Sequence, residues 1–153
     1  LAVDVGKSRI GVAITDIHAI LASPIATVSR SSDSQVSIDE ILALAAAEGD
    51  LLEIYVGIPV NLKGSITEST QDALDFAAAI AESTTVPVLV IDERMTTAIA
   101  NAQLIVIGKS QKSARSTIDQ MAAVAILEYA LTVERNSSQV PGLTVSDWRE
   151  KYE

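Results

Sequence analysis

The stretch that most constrains this chain is its first sixteen residues, Leu1-Ala-Val-Asp-Val-Gly-Lys-Ser-Arg-Ile-Gly-Val-Ala-Ile-Thr-Asp16. It reads as two apolar strands, Leu1–Val5 and Arg9–Thr15, joined by a tight turn at Gly6. Asp4 stands in the middle of the first strand, where a buried residue is expected, with no Lys or Arg within two positions of it. A buried carboxylate without a partner is costly, so it normally pairs with a cation or binds a metal. Gly6, two residues on, lets backbone or ligand approach closely. An Asp running into a glycine turn is also ordinary turn chemistry, so the hairpin alone leaves both readings open.

Length and composition narrow the chemistry. The 153 residues suit one domain with a sizeable core. Hydrophobic residues make up 48% but aromatics only 3%, so Ala, Val, Ile and Leu must fill that core. Such side chains suit helices packed closely on a parallel or mixed sheet. Cysteine is absent, which excludes disulfides, thiolate-bound zinc and a thiol nucleophile and fits a reducing cytoplasm. With His18 the only histidine, any metal would be held by carboxylates and would be hard, Mg²⁺ or Mn²⁺. No apolar run approaches the ~20 residues of a membrane span, and no signal peptide is visible. The chain opens inside a strand, so a preceding natural start is expected. Net charge is −9, yet Arg94 to Ile118 holds Arg94, Lys109, Lys112 and Arg115 and no acid. One basic segment stands on an acidic body, and distribution matters more than total for a nucleic-acid binder.

The pattern along the chain predicts a third strand over Pro24–Ser29, a fourth over Leu51–Ile58 and a fifth over Val86–Ile91. Ser37-Ile-Asp-Glu40 and Ser65-Ile-Thr-Glu68 fit capping boxes opening helices to about Glu48 and Ser83. Thr96 or Thr97 would cap a third helix to about Ile107. After a loop over Lys109–Arg115, Ser116 would open the last helix to about Glu134. A 136–153 extension without periodicity, carrying Trp148 as a packing anchor, is expected to dock loosely or stay disordered beside a 1–135 domain. Three consecutive strands followed by alternating strands and helices predict an α/β fold, a five-stranded mixed sheet with helices on both faces.

Sites in such sheets form beyond the carboxyl ends of parallel strands. Asp4 and the Asp92-Glu93 pair fall there. Asp92-Glu93-Arg94 also reads as a solvated strand end with a local ion pair. Asp119 is the third candidate, although Ser116-Thr-Ile-Asp119 also fits a capping box with Asp119 as its acid. Ala122 and Ala123 would let that helix press on the sheet beside Asp4. Three converging carboxylates repel unless a divalent cation lies between them. Two metals about 4 Å apart suit in-line phosphodiester hydrolysis.

Four segments in this order resemble the YqgF/RuvX family of RNase H-like nucleases. They are Val3-Asp-Val-Gly6 with Arg9-Ile-Gly-Val-Ala13, Val56-Gly-Ile-Pro-Val-Asn-Leu-Lys-Gly64, Asp92-Glu-Arg-Met-Thr-Thr97 and Ile118-Asp-Gln-Met-Ala-Ala-Val124. The resemblance covers residues 1 to about 133. It implies an RNase H-like fold and a carboxylate–metal nuclease centre with Asp4, Glu93 and Asp119 catalytic and Asp92 a further ligand. It also implies Mg²⁺ or Mn²⁺, nucleic-acid contacts from Arg9, Asn61, Lys63, Arg94, Lys109, Lys112 and Arg115, and trimming of the 5′ end of precursor 16S rRNA in the cytoplasm. The turn Gly6-Lys-Ser-Arg9 departs from the family's usual Gly-Thr-Lys-Arg.

Three other functions compete. The same fold could resolve DNA four-way junctions, which needs two sites and hence a homodimer rather than a monomer. An Asp-x-Gly hairpin also opens actin-like ATPases, but those need a second domain for which 153 residues leave no room. An inactive interaction module is the last.

Overall fold

The structure, a computed structural model, describes residues 1–96 and 111–153, with the side chains of 111–113 left aside. β1 (Ala2–Val5), β2 (Arg9–Thr15) and β3 (Ala22–Ser29) form an antiparallel meander. β4 (Ile54–Ile58) and β5 (Val88–Asp92) add on the far side of β1, each parallel to its neighbour, giving the order β3-β2-β1-β4-β5. The carboxyl ends of β1, β4 and β5 therefore lie at one end of the sheet, with the start of β2. This is the expected mixed sheet, and the architecture is that of an RNase H-like fold.

Strand alternation divides the core in two. Val3, Ile10, Val12, Val56 and Val90 face α1 (Ser34–Glu48) and α2 (Glu68–Ser83), which contribute Ile38, Ile41, Leu74, Phe76 and Ile80. Ala2, Ala13, Tyr55, Leu89 and Ile91 face α3 (Gln111–Ser137) through Ala123, Val124, Ile126, Leu127 and Ala130. Alanines on both partners let α3 lie close across β3, β2, β1 and β4.

Helix starts differ from those the sequence predicts. Asp33 caps α1, accepting from the Gln35 N–H at 3.0 Å. Ser37 is instead buried at the β3–α1 junction, where its hydroxyl accepts from Ser31 N–H and donates to the Ser29 carbonyl. Thr67, not Ser65, caps α2 in a box with Thr70, whose hydroxyl also donates to the Pro59 carbonyl. α3 begins at Gln111, so Arg115 and Ser116 lie within a helix and not in a loop or at a cap. Ser116 and Gln120 instead meet the Thr27 hydroxyl, tying α3 to the edge strand. The helix expected from Thr96 or Thr97 to Ile107 lies outside the described residues.

The C-terminal extension, expected to be loose or disordered, is folded. Leu143 exchanges both backbone hydrogen bonds with Val90 at 2.7 and 3.0 Å, covering the outer edge of β5. A side chain at Gly142 would press within 2.6 Å of the Val90 carbonyl oxygen, and its φ of +77° favours glycine. Thr144 then caps α4 (Val145–Tyr152), and Trp148 enters the α2-side core at 3% exposure. Arg149 pairs with Asp75 at 2.6 Å. The lack of periodicity reflects a short helix anchored by one aromatic side chain. Among the described residues no helix is long and apolar enough to cross a membrane. Trp148→Ala should lower unfolding free energy by about 3 kcal/mol or more, measured by urea denaturation; a change near zero would show that the extension does not support the domain.

Candidate active site

Asp4 shares a sheet face with Ala2 and faces α3. Its cross-strand partner is Gly11. A Cβ at Gly11 would fall 1.8 Å from the Asp119 carbonyl oxygen and 3.0 Å from the Gln120 nitrogen, so the helix backbone rests directly on this glycine. On the other side, Val3 pairs with Val56, and one step further brings Gly57 level with Asp4. A Cβ there would meet Ile126 at 2.4 Å and a Glu93 carboxyl oxygen at 2.8 Å. Asp4 is thus flanked by two residues without side chains. One admits the helix carrying Asp119, the other the carboxyl of Glu93.

Glu93 follows β5 in a single 3-10 turn, Glu93–Met95. Leu89 and Ile91 face α3, and the same alternation carries Glu93 to the Asp4 side. The two carboxyls are hydrogen-bonded to each other. Burial raises Glu93 to about 8, reinforced by the charge of Asp4, by that hydrogen bond and by Asp92. Burial likewise raises Asp4 to about 6, against the hydrogen bond from Glu93 and with the charge of Asp119. Burial thus favours a proton held between the two carboxyls, in the hydrogen bond that joins them. Asp119 faces inward at 17% side-chain exposure and accepts from Arg9 Nε at 2.7 Å.

The remaining expected residues divide. Asp92 alternates with Val88 and Val90 towards the opposite face and is not brought to Asp4. It is held by Arg94, with Nη2 to Oδ2 at 2.6 Å and Nε contacts at 3.0 and 3.1 Å, and it caps the Arg94 N–H at 2.9 Å. Its carboxylate is thus paired with Arg94 and stands apart from the Asp4–Glu93 pair. The Arg94 guanidinium also packs on Gly64, at 3.1 Å from where a Cβ would stand. Asn61 organises the loop after β4, its side-chain oxygen accepting from Lys63 and Ser65 N–H groups at 3.0 and 2.8 Å. Lys63 and Arg115 are exposed. Lys112 lies in the first turn of α3, while Lys109 is outside the described residues. His18 is exposed in the β2–β3 loop.

Sequence reasoning missed Gly11 and Gly57. Their signal was glycine inside two strands, on the face of an already suspected carboxylate. Lys7, exposed in the turn after Asp4, was also missed.

Among the described residues no three acids stand close enough together to form a ready metal cluster. The donors nevertheless fit a hard divalent cation. Asp4 and Glu93 offer oxygen only, share one proton where a cation would neutralise both, and have Asp119 beside them, held by Arg9.

A mixed sheet with acids at the ends of two parallel strands and a third on the crossing helix is the arrangement of an RNase H-like, carboxylate-bearing protein. A family model described as "RuvX: Holliday junction resolvase" matches residues 1–133, and the chain belongs to the RuvX (YqgF) family. It is 43% identical over 145 residues to a protein of Clavibacter michiganensis, covering 95% of this chain and 89% of the relative. It is 42% identical to a Leifsonia xyli protein (93% and 90% covered) and 43% identical to a Streptomyces coelicolor protein (93% and 84%). All three carry the name "Putative pre-16S rRNA nuclease".

Gly11→Ala should cost about 3 kcal/mol, the upper end of overpacking because backbone must move, measured by chemical denaturation. A cost under about 1 kcal/mol would mean that α3 does not rest on this strand. The raised carboxyls give a second expectation. Both bind protons more tightly folded than unfolded, so their stabilisation is complete below about pH 4 and is lost as pH rises through 6 and 8. In chelator, the melting temperature should fall from about pH 5.5 to about pH 8.5, and Asp4→Asn should fall less steeply. Equal slopes would show that the pair is not coupled to folding.

Proposed function

We propose that this chain is a nuclease that trims the 5′ end of precursor 16S rRNA by metal-dependent phosphodiester hydrolysis. The observation that carries this reading is the Asp4–Glu93 carboxyl pair with Asp119 beside it, at the end of the sheet where the cations gather. Lys7 and Lys63 follow strand ends there, Arg9 opens β2 beside them, and Lys112 and Arg115 occupy α3 upstream of Asp119. A chain of net charge −9 thereby offers one face to phosphates.

Asp4 and Glu93 would hold Mg²⁺ or Mn²⁺, with Asp119 the third donor. When bound, such a cation lowers the pKa of a coordinated water and neutralises charge on the phosphoryl oxygens. The Asp4–Glu93 pair would give up its proton on the way, because a protonated carboxyl is a poor ligand. Arg9, fixed beside the same carboxylates, is placed to bind a phosphate oxygen by its remaining N–H groups. Lys63 and Arg115 are free to position the strand further along. A cytoplasmic location follows from the substrate.

The family model's description favours one second reading, cleavage of four-way DNA junctions by a homodimer. A 5′-extended 16S RNA and a synthetic junction, each with Mg²⁺ or Mn²⁺, separate the two. The RNA should be trimmed and the junction left whole. Asp4→Asn should reduce trimming about a thousandfold or more, or about 4 kcal/mol of barrier, while melting no lower than the parent in chelator. Paired nicks in the junction with intact RNA would reverse the assignment.

A further inference from the structure

The end of the sheet remote from Asp4 has the opposite character. There β2 and β3 are joined through Asp16–Leu21, a loop braced from within. The Asp16 carboxylate accepts from the Ile20 and Leu21 N–H groups at 2.7 and 3.0 Å. Asp16 N–H donates to the Leu21 carbonyl at 3.1 Å and Ala19 N–H to the Asp16 carbonyl at 3.0 Å. Ala19 is held at φ +54°, which a residue with a side chain seldom adopts. Arg135, near the end of α3, donates to the Ile20 carbonyl at 3.0 Å.

Despite this bracing the three large side chains face water: Ile17 is 94%, Ile20 65% and Leu21 63% exposed. Leu52, ahead of β4, and Val140, beyond α3, are exposed at the same end. Acids share this end. Glu53 and Glu134 line one cleft with Val140, and Asp16 and Asp50 belong to the same end. Arg135 is the one Lys or Arg there among the described residues. Three large apolar side chains exposed on one braced loop mark an interaction site more often than chance exposure.

We propose that this end docks a basic protein whose surface offers an apolar pocket to Ile17, Ile20 and Leu21. Charge selects the occupant. A second copy of this chain would set Asp16, Glu53 and Glu134 against like acids, and RNA would bring phosphates to them. A basic protein complements them. Resting on the rRNA reading, the partner is a protein bound to the same precursor RNA, since such proteins neutralise phosphates with Lys and Arg. The chain would then hold its cationic end to the RNA and its acidic, apolar end to the protein beside it.

The test compares small-subunit precursor particles carrying unprocessed 16S RNA with the same RNA stripped of protein. The Ile17→Ser/Ile20→Ser/Leu21→Ser variant should melt with the parent and cut stripped RNA within about twofold of it. It should cut the particle about tenfold more slowly and sediment with it correspondingly less, the loss of one hot-spot anchor. Glu134→Lys should show the same split. Equal rates on both substrates, or an equal loss on both, would overturn the docking assignment. So would parent dimers that the triple variant dissolves. If the parent cuts neither RNA, the nuclease reading fails by itself. Sedimentation with the particle then still decides, and a triple variant that co-sediments as fully as the parent overturns the docking.

Discussion

The site depends on two missing side chains. Gly11 and Gly57 flank Asp4 on neighbouring strands, and each opens space that any other residue would fill. Through the first, the backbone of α3 descends onto the sheet at Asp119. Through the second, the Glu93 carboxyl reaches Asp4. Convergence of acids more than a hundred residues apart is thus a packing result before it is an electrostatic one. Packing sets the Asp4 and Glu93 carboxyls against each other with Asp119 near enough for its charge to act on Asp4, and their repulsion is then answered locally. Burial favours a proton shared by Asp4 and Glu93, and Arg9 occupies Asp119.

The same topology sorts charge. β1, β3, β4 and β5 all end at the Asp4 end, and the segments that follow them carry Lys7, Arg30, Lys63 and Arg94. Helices return the chain to the other end, where Glu48, Asp50 and Glu134 accumulate. Net charge therefore misleads as a guide to partners. The chain is acidic overall, yet exposed Lys7, Lys63 and Arg115 stand at the end that holds its carboxylate pair. Arg30 illustrates a cation at that end already committed to structure. It is bidentate to Asp72 at 2.8 and 2.9 Å, donates to the Gly6 carbonyl at 3.0 Å and lies over the Phe76 ring. It braces the turn after Asp4, leaving Lys7 at the tip.

Much of this was legible in the sequence, and what was not has physical causes. The number and sense of the strands followed from Arg9–Thr15, read with correct bounds, and from apolar runs too short for helices. The choice between Asp92 and Glu93 was also latent there. Continuing the alternation of Leu89 and Ile91 reaches Glu93, whereas Asp92 continues Val88 and Val90. Caps were less readable because serine, threonine and aspartate serve several purposes. Ser37 and Ser116 both fit capping boxes, yet each hydroxyl is used in tertiary contacts with β3. Treating Ser116 as a cap shortened α3 by more than a turn and put Asp119 at its mouth. The aperiodic tail hid a helix whose burial rests on Trp148.

On the nuclease reading, the Arg9–Asp119 ion pair would join phosphate binding to the site. Arg9 shares its strand face with Gly11, so the hairpin that presents Asp4 also presents the guanidinium that compensates Asp119. A guanidinium has five donors, and Asp119 is hydrogen-bonded to the Nε alone. The donors on its two terminal nitrogens remain for an oxyanion without any need to break the pair. A phosphate drawn to Arg9 would therefore arrive within the same group of side chains as Asp4 and Glu93, and its negative charge would favour a divalent cation between them. Nucleic acid and cation should then bind with positive coupling, each supplying the charge that the other lacks.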